Sequence, residues 1–405
     1  MRLAARIRLL CCLFLAAIAA HAQSSPLDLK KALETADLDN PELQAARQQR
    51  AMALAGTQIA RQLPNPFLSF AAARDTPHES LQWDQPIELG GKRGRRIAVA
   101  REEQKATEVD ITILSRQVRR RTRQAYYGVL WSQAQTKQAK AALDLAARIR
   151  DIVKQRFEAG DVAQLEVIQA EVELARAATD YEATTQAAKA ADAQLAGLLG
   201  RPLDQVWNLE GRLDAIPQPG SLQALSDSAM RSNADIQRST QEVEIEQRRL
   251  ALAKAQRIPN LDIQAGVDLN SPREFDLGPR GQIGISLPLF YHGQGEVAQS
   301  TARLEFLRLI LQAQRTNASV QVAAAYFDEV AKSRQAQQYK DNIVPQTVRL
   351  EAMAEDSYRS GKSNLLTLVD AQRRLHDTQR TYLDNLLAAQ ASFAGLEEAV
   401  GMPLD

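Results

Sequence analysis

The sequence predicts a mainly α fold built as a duplicated helix-strand-strand-long helix-helix repeat, with four strands per chain. Three observations carry this. Motifs of the first half return in order about 200 positions later, a spacing that marks a duplicated substructure rather than a short solenoid unit. Composition is rich in Ala, Gln, Leu, Arg and Glu and poor in aromatics and glycine, as in long helices. Four short runs alternate apolar and polar residues with period two.

The duplication is read from independent patches. "NPELQ" at Asn40 returns as "NADIQ" at Asn233, and "LPNPFLSF" at Leu63 as "IPNLDIQA" at Ile258. Ala125-Tyr126-Tyr127 answers to Ala325-Tyr326-Phe327, and the halves close on "GRPLD" at Gly200 and "GMPLD" at Gly401. Residues 23–220 and 221–405 are therefore the two expected repeats.

Before them, residues 1–22 read as an export signal. Arg2, Arg6 and Arg8 precede an apolar run from Leu9 to Ala20, too short to span a bilayer, and Ala20-His21-Ala22 offers a small-x-small cleavage site. Both cysteines, Cys11 and Cys12, fall inside it, so the processed chain is expected to have no disulfide and no catalytic thiol.

In the first repeat, Asn40 and Pro41 open a helix in the N-cap and first-position manner. Strands are expected at about 65–74 and 80–89. A helical hairpin follows over about 95–199, turning at Gly160; its first arm holds no Pro and only Gly128, a rod of roughly 90 Å at 1.5 Å per residue. The second repeat has strands at about 261–270 and 281–289 and a hairpin over about 294–400, turning at Gly361. Pro345 is expected to bend or break its first arm.

The strands point to a membrane. Leu261, Ile263, Ala265, Val267 and Leu269 alternate with Asp262, Gln264, Gly266, Asp268 and Asn270, and Ile283, Ile285, Leu287 and Leu289 with polar or small residues. Leu81, Trp83, Ile87 and Leu89 do the same, with Gln85 breaking the apolar series. Strands of about ten residues with one greasy face suit an outer-membrane barrel with a wet lumen. Period two is equally that of a half-buried sheet in a soluble domain. Four strands cannot close on themselves in lipid, where unpaired edge groups cost several kcal/mol each. A membrane reading therefore requires two, three or four copies, with about 8, 12 or 16 strands.

Other classes find less support. Without the three leader arginines the chain has 47 basic and 49 acidic residues, which gives no reason to expect nucleic acid as partner. No apolar run of the processed chain approaches 18 residues. No nucleophile and base stand in a catalytic order, and His78, His292 and His376 are isolated, so the chain reads as no enzyme and no metal ligand set is visible. A periplasmic adaptor would have one hairpin with small barrel domains; an exported coiled-coil scaffold would explain the Leu and Ala spacing but not four amphipathic strands.

The doubled "NPEL/NADI" opening, the strand entries at Pro64 and Pro259, the turn segments "FEAG…LEVIQAEVEL" and "YRSG…LLTLVDAQRRL", and the Gly-x-Pro-Leu-Asp endings resemble the TolC-type outer-membrane efflux family over essentially the whole processed chain. "QPIELGGKRGRR" from Gln85 to Arg96 is most similar to its heavy-metal, CzcC-like branch. The resemblance implies a homotrimer with a trimeric 12-stranded β-barrel in the outer membrane and a long α-helical tunnel into the periplasm. It also implies a periplasmic adaptor (membrane fusion) protein and an inner-membrane resistance-nodulation-division pump as partners, and no cofactor. Heavy-metal cations are the implied cargo; drug efflux or type I protein secretion is the alternative.

By the same resemblance, Gly160 and Gly361 lie at the periplasmic tip, where Glu166 takes the place of a gate acid and Tyr358 that of its tyrosine partner. Ser363 departs from the pattern, standing where an arginine often forms another link. Asp370 corresponds to an acid ringing the tunnel entrance and selecting cations, with Thr367 in place of a second acidic layer. Lys92, Arg93, Arg95 and Arg96 lie where strand gives way to rod, placed to meet outer-membrane lipid headgroups or to form a solvated junction.

Overall fold

The computed structural model describes residues 26–75, 77–271 and 275–404, so the expected leader lies outside the described residues. The chain is mostly helical. It divides into two compact units, each drawing on both halves of the sequence: residues up to Leu43, 115–224 and 322–405 form the first, and 44–114 with 225–321 the second. No described helix is long and apolar enough to cross a membrane.

The first half runs β1 (Leu27–Asp28), α1 (Leu29–Asp39), α2 (Pro41–Ala60), β2 (Phe67–Ala72), β3 (Glu79–Ile87), α3 (Lys92–Glu158) and α4 (Gln164–Leu198). The second runs β4 (Leu209–Glu210), α5 (Leu222–Ser232), α6 (Ala234–Gln256), β5 (Leu261–Ser271), β6 (Phe275–Ile285), α7 (Gln294–Gln338), α8 (Val344–Arg359) and α9 (Leu365–Val400). Two 11-residue helices, α1 and α5, thus precede the capping residues Asn40 and Asn233, where no helix was expected. Asn233 caps α6 by accepting from the N–H groups of Asp235 and Ile236. The buried Asn40 accepts from Leu43 N (3.1 Å) and donates to the carbonyl of Leu198 (2.9 Å). The opening motif and the first closing motif meet there. Gly200 has φ +64°, and a Cβ on it would lie 2.6 Å from the Asp39 carbonyl oxygen, which is why the turn takes glycine.

The helical backbone runs on through Pro345, but its α pattern is interrupted just before it, between α7 and α8. A π-helical turn at Tyr339–Ile343 precedes it, and Val344 N–H bonds to the carbonyl of Tyr339, five residues back. The wider turn absorbs the missing Pro345 N–H and its ring.

In the first unit, β1 and β4 pair in parallel. The Tyr126 hydroxyl lies between the carbonyls of Glu210 (2.5 Å) and Leu27 (3.1 Å), one at each of these strands, and shares its one proton with them. The segment between α4 and α5 is further held by Gln390, whose amide donates to Leu213 O and Ala215 O, and by Gln133, which donates to Trp207 O. The fully buried Tyr126 thus gives the Ala-Tyr-Tyr motif a structural reason.

The second unit holds one antiparallel sheet in the order β2-β3-β5-β6. Leu81, Trp83 and Ile87 of β3 stand opposite Val267, Ala265 and Leu261 of β5, and Ile263 and Leu261 stand opposite Ile283 and Ile285 of β6. One face is therefore apolar across the strands. Gln85, the exception on that face, donates its amide to the carbonyl of Pro64 (2.9 Å). The other face carries Gln82, Asp84, Gln264, Asp268 and Arg280. There Gln82 donates to Gln264 (3.1 Å), Gln264 to Asp84 (3.0 Å) and Arg280 to Asp268 (2.5 Å). The last strand needs correction: it is Phe275–Ile285, not 281–289. Pro279 stands opposite Val267 on β6, the last strand of the sheet within the chain, and Pro288 with its neighbours lies past the ladder.

Candidate functional site

Two places in the chain combine special geometry with functional side chains. In the first unit, both hairpin turns close alike. Gly160 (φ +83°) and Gly361 (φ +70°) end α3 and α8 in the left-handed region. Asp161 N bonds to Arg156 O (2.8 Å) and Lys362 N to Ser357 O (2.9 Å), the wide bond of a Schellman ending in each case. Asn364 then caps α9 by accepting from Thr367 N (3.0 Å).

Beside these turns, Tyr358 is buried among Ile149, Val153, Leu365 and Leu368. Its hydroxyl donates to Glu166 Oε2 over 3.4 Å, a long contact. The Arg156 guanidinium lies 5.1 Å from the Tyr358 ring centre. Burial, and then the Glu166 carboxylate, raise the Tyr358 pKa above its ordinary value, so the hydroxyl keeps its proton and acts as donor. Ser363 Oγ is buried without a hydrogen-bond partner among the described residues.

One turn along α9, Asp370 is exposed, and its charge acts on Arg373. Arg373 pairs with Glu173 of α4, and His376 lies 3.5 Å from Asp180. A cavity of about 650 Å³ separates these helices, lined by Leu145, Glu173, Asp180, Arg373 and His376 among others.

The second place is the unpaired sheet. β2 and β6 leave their outer edges open, and the apolar face exposes Leu68, Phe70, Leu81, Trp83, Ile263, Ile283 and Ile285. An open edge with a greasy face is unstable as it stands and calls for other strands.

The profile described as "Outer membrane efflux protein" matches residues 32–201 and 225–402, most of the chain and both halves of it. The chain belongs to the outer membrane efflux protein family. It is 25% identical to the cobalt-zinc-cadmium resistance protein CzcC of Cupriavidus metallidurans, over 89% of this chain and 86% of that protein. It is 26% identical to the pyoverdine export outer membrane protein OpmQ of Pseudomonas aeruginosa, over 81% of this chain and 70% of that one. In fold it is similar to crystal structures of CusC, with a TM-score of 0.75 at 19% identity, covering 95% of this chain and 96% of that one. The protein is an outer-membrane efflux channel component, located in the outer membrane and reaching into the periplasm.

For this efflux protein, the structure brings Glu166 and Tyr358 together and puts Gly160 and Gly361 at the two turns. It adds Arg156, which sequence reasoning passed over although it stands one turn before Gly160. At the strand-to-rod junction, three of the four basic residues are tied within the chain. Arg96 grips Glu88 with two bonds (2.6 and 3.1 Å) and donates to the carbonyls of Ala60 and Gln62. Arg93 donates to Arg61 O (2.7 Å) and Lys92 to Asn260 Oδ1 (2.5 Å). The bonds from Arg93 and Arg96 to Ala60, Arg61 and Gln62 satisfy carbonyls at the C-terminal end of α2, left over by the helix itself. Glu88 is accordingly held below the usual carboxylate range, chiefly by its hydrogen bond from Arg96. The Arg95 side chain is exposed and makes no such bond.

Proposed function

We propose that this efflux protein forms the outer-membrane duct of a tripartite system exporting heavy-metal cations. It would act as a homotrimer with a periplasmic adaptor and an inner-membrane resistance-nodulation-division pump. The observation that carries the duct is the four-stranded sheet with one greasy face and two open edges. Along β2, β3, β5 and β6 the direction alternates, so β6 of one copy can add antiparallel to β2 of the next. Closure by copies then leaves no edge in lipid, with the amide and carboxylate face turned to water. Three copies, and so twelve strands, follow from the resemblance; the duplicated plan of residues 23–220 and 221–405 follows from the motifs that recur between the halves. The cargo rests on the likeness to a cobalt-zinc-cadmium resistance protein. The comparable likeness to a pyoverdine exporter favours a second reading, an organic cargo. Complementation of a strain lacking its own metal-efflux channel separates them: restored growth in zinc, cobalt or cadmium is expected, and sensitivity unchanged by expression would overturn the metal reading.

In this reading Gly160, Glu166, Tyr358 and Gly361 belong to the periplasmic gate. Tyr358→Phe removes the donor to Glu166 and leaves the buried ring in place. A higher open probability in planar-bilayer recordings is expected, by a factor of about five for a neutral-to-charged bond near 1 kcal/mol. Unchanged conductance would remove the contact from the gate.

Asp370 is assigned to the tunnel entrance, where carboxylates converging on an axis concentrate cations. Arg373 moderates this, since its own partner is Glu173 and Asp370 lies in its field. Asp370→Asn should shift the reversal potential toward zero in a potassium chloride gradient while single-channel events persist; an identical reversal potential removes Asp370 from the entrance.

A further inference from the structure

At the end of the sheet where the helices begin, four segments meet. Ile87 and Ile285 both stand opposite Leu261, so the chain leaves β3 and β6 on either side of the entry to β5. Lys92 Nζ bonds to Asn260 Oδ1 and Arg93 Nε to the carbonyl of Arg61. Arg257 Nε bonds to the carbonyl of His292 (3.1 Å). Residues 60–62, 87–96, 257–261 and 285–293 therefore share this end.

Two kinds of surface coincide there. Past the end of β6 the chain turns, Leu289 N bonding to Leu287 O (2.9 Å), and presents three exposed apolar side chains, Leu287 (63% exposed), Leu289 (76%) and Phe290 (96%). A phenylalanine so bare has almost no packing within its own chain. At the same end of the sheet stand Arg61, Lys92, Arg93, Arg95 and Arg257, and among the described residues no salt bridge joins any of them to a carboxylate. The nearby Glu88 is taken by Arg96, and Glu296 accepts from Tyr291 (2.5 Å). The two junctions divide the work: "GGKRGRR" supplies the cations and "LPLFYHG" the apolar side chains.

We propose that this end of the sheet is a collar for anionic phospholipid, in the leaflet on the side that the helices occupy. Leu287, Leu289 and Phe290 enter the acyl boundary; the Arg61 and Arg95 guanidinium groups, with the donors that Lys92, Arg93 and Arg257 keep beyond their bonds within the chain, meet headgroup phosphates. The proposal rests on the reading that the sheet spans the outer membrane. Lipid is the occupant that satisfies both surfaces at once. The exposed apolar residues follow directly on the strand whose greasy face is turned to hydrocarbon, and cationic side chains at the same end of the sheet lie at headgroup level. An acidic protein partner would complement the charges but would have to leave the membrane-facing row unexplained.

The test uses the full processed protein, assembled in lipid. Native mass spectrometry after equilibration with equal phosphatidylglycerol and phosphatidylethanolamine should show retained phosphatidylglycerol in excess. Arg61→Gln with Arg95→Gln removes two charges whose side chains make no bond among the described residues, so folding is spared. The preference should fall about fivefold per charge and collapse in high salt, with conductance unchanged. A nitroxide on Phe290→Cys should show oxygen access and headgroup depth. The collar is overturned if an inserted, conducting protein shows no phosphatidylglycerol preference or if the double variant keeps the full preference. Free access of an aqueous nickel reagent to the label overturns it too. A protein that does not insert at all would instead bring down the membrane reading of the sheet, and the collar with it.

Discussion

Ala265→Arg is expected to abolish the assembled channel, while Gln282→Arg is expected to leave it intact. Ala265 lies mid-strand in β5, opposite Trp83 on one side and Gly281 on the other, on the apolar face. Gln282 sits on β6 with its neighbours alternating to the other face, where Arg280 already pairs with Asp268. Both positions are exposed in a single chain, so a sheet in water would accept either arginine at little cost. In a bilayer the two separate: arginine on the lipid face near the midplane costs about 2–4 kcal/mol per chain, and a lumen arginine costs little. Every copy in a closed ring bears that penalty. Semi-native electrophoresis of membrane fractions, with and without heating, reads the heat-sensitive oligomer directly. A wild-type yield of Ala265→Arg oligomer would show that this face does not meet hydrocarbon. The half-buried soluble sheet would then be the better account of the same period-two pattern.

That pattern was legible because each strand has only one face to satisfy. Leu261, Ile263, Ala265, Val267 and Leu269 appear in sequence as they appear on the sheet. β6 was misplaced by six residues at its start for the opposite reason. Gly278, Pro279, Gly281 and Gly284 replace the side chains that would announce alternation, and only pairing with β5 gives them an extended role. The real alternation through Leu287 and Leu289 belongs to a segment with no ladder partner, which periodicity alone cannot reveal. Long helices were plain from the absence of Pro and Gly. The 11-residue helices α1 and α5 were not, since Asn40 and Asn233 look like the start of order when a helix also ends beside them. Pro345 illustrates a local rule overridden locally: the π-turn before it keeps the helix going.

At the candidate sites, residue types and turns were visible, but partners were not. Gly160 and Gly361 declare themselves through conformation, and Tyr358 with Glu166 came from resemblance. Arg156 against the Tyr358 ring and Glu173 with Arg373 are contacts between helices far apart in sequence. The basic run after Gly91 shows the converse. Four charges in a row suggested one role, yet Arg96, Arg93 and Lys92 spend hydrogen bonds on the chain's own carbonyls and amide, whereas Arg95 does not.

Glu397→Ala should be the most damaging single change in the first unit. The Arg123 side chain is 4% exposed, lies 5.0 Å from the ring centre of the fully buried Phe393, and pairs with the Glu397 carboxylate. Glu397 also accepts from Leu404 N (3.0 Å), which fixes the chain after Gly401 ends α9. Removing the carboxylate breaks this pair at a guanidinium that is almost wholly buried, a loss of about 3–5 kcal/mol. Taking out both charges as Arg123→Met with Glu397→Leu should recover much of that. The buried pair itself gains little over apolar packing, since desolvation offsets most of its attraction. A double-mutant cycle on urea unfolding of the detergent-solubilised chain measures the coupling, expected near 2–3 kcal/mol. Additive single effects would mean that the pair is coincidental. Because Arg123 lies on α3 and Glu397 on α9, a large coupling would identify this buried pair as a tie between the long helix of the first half and the closing helix of the second.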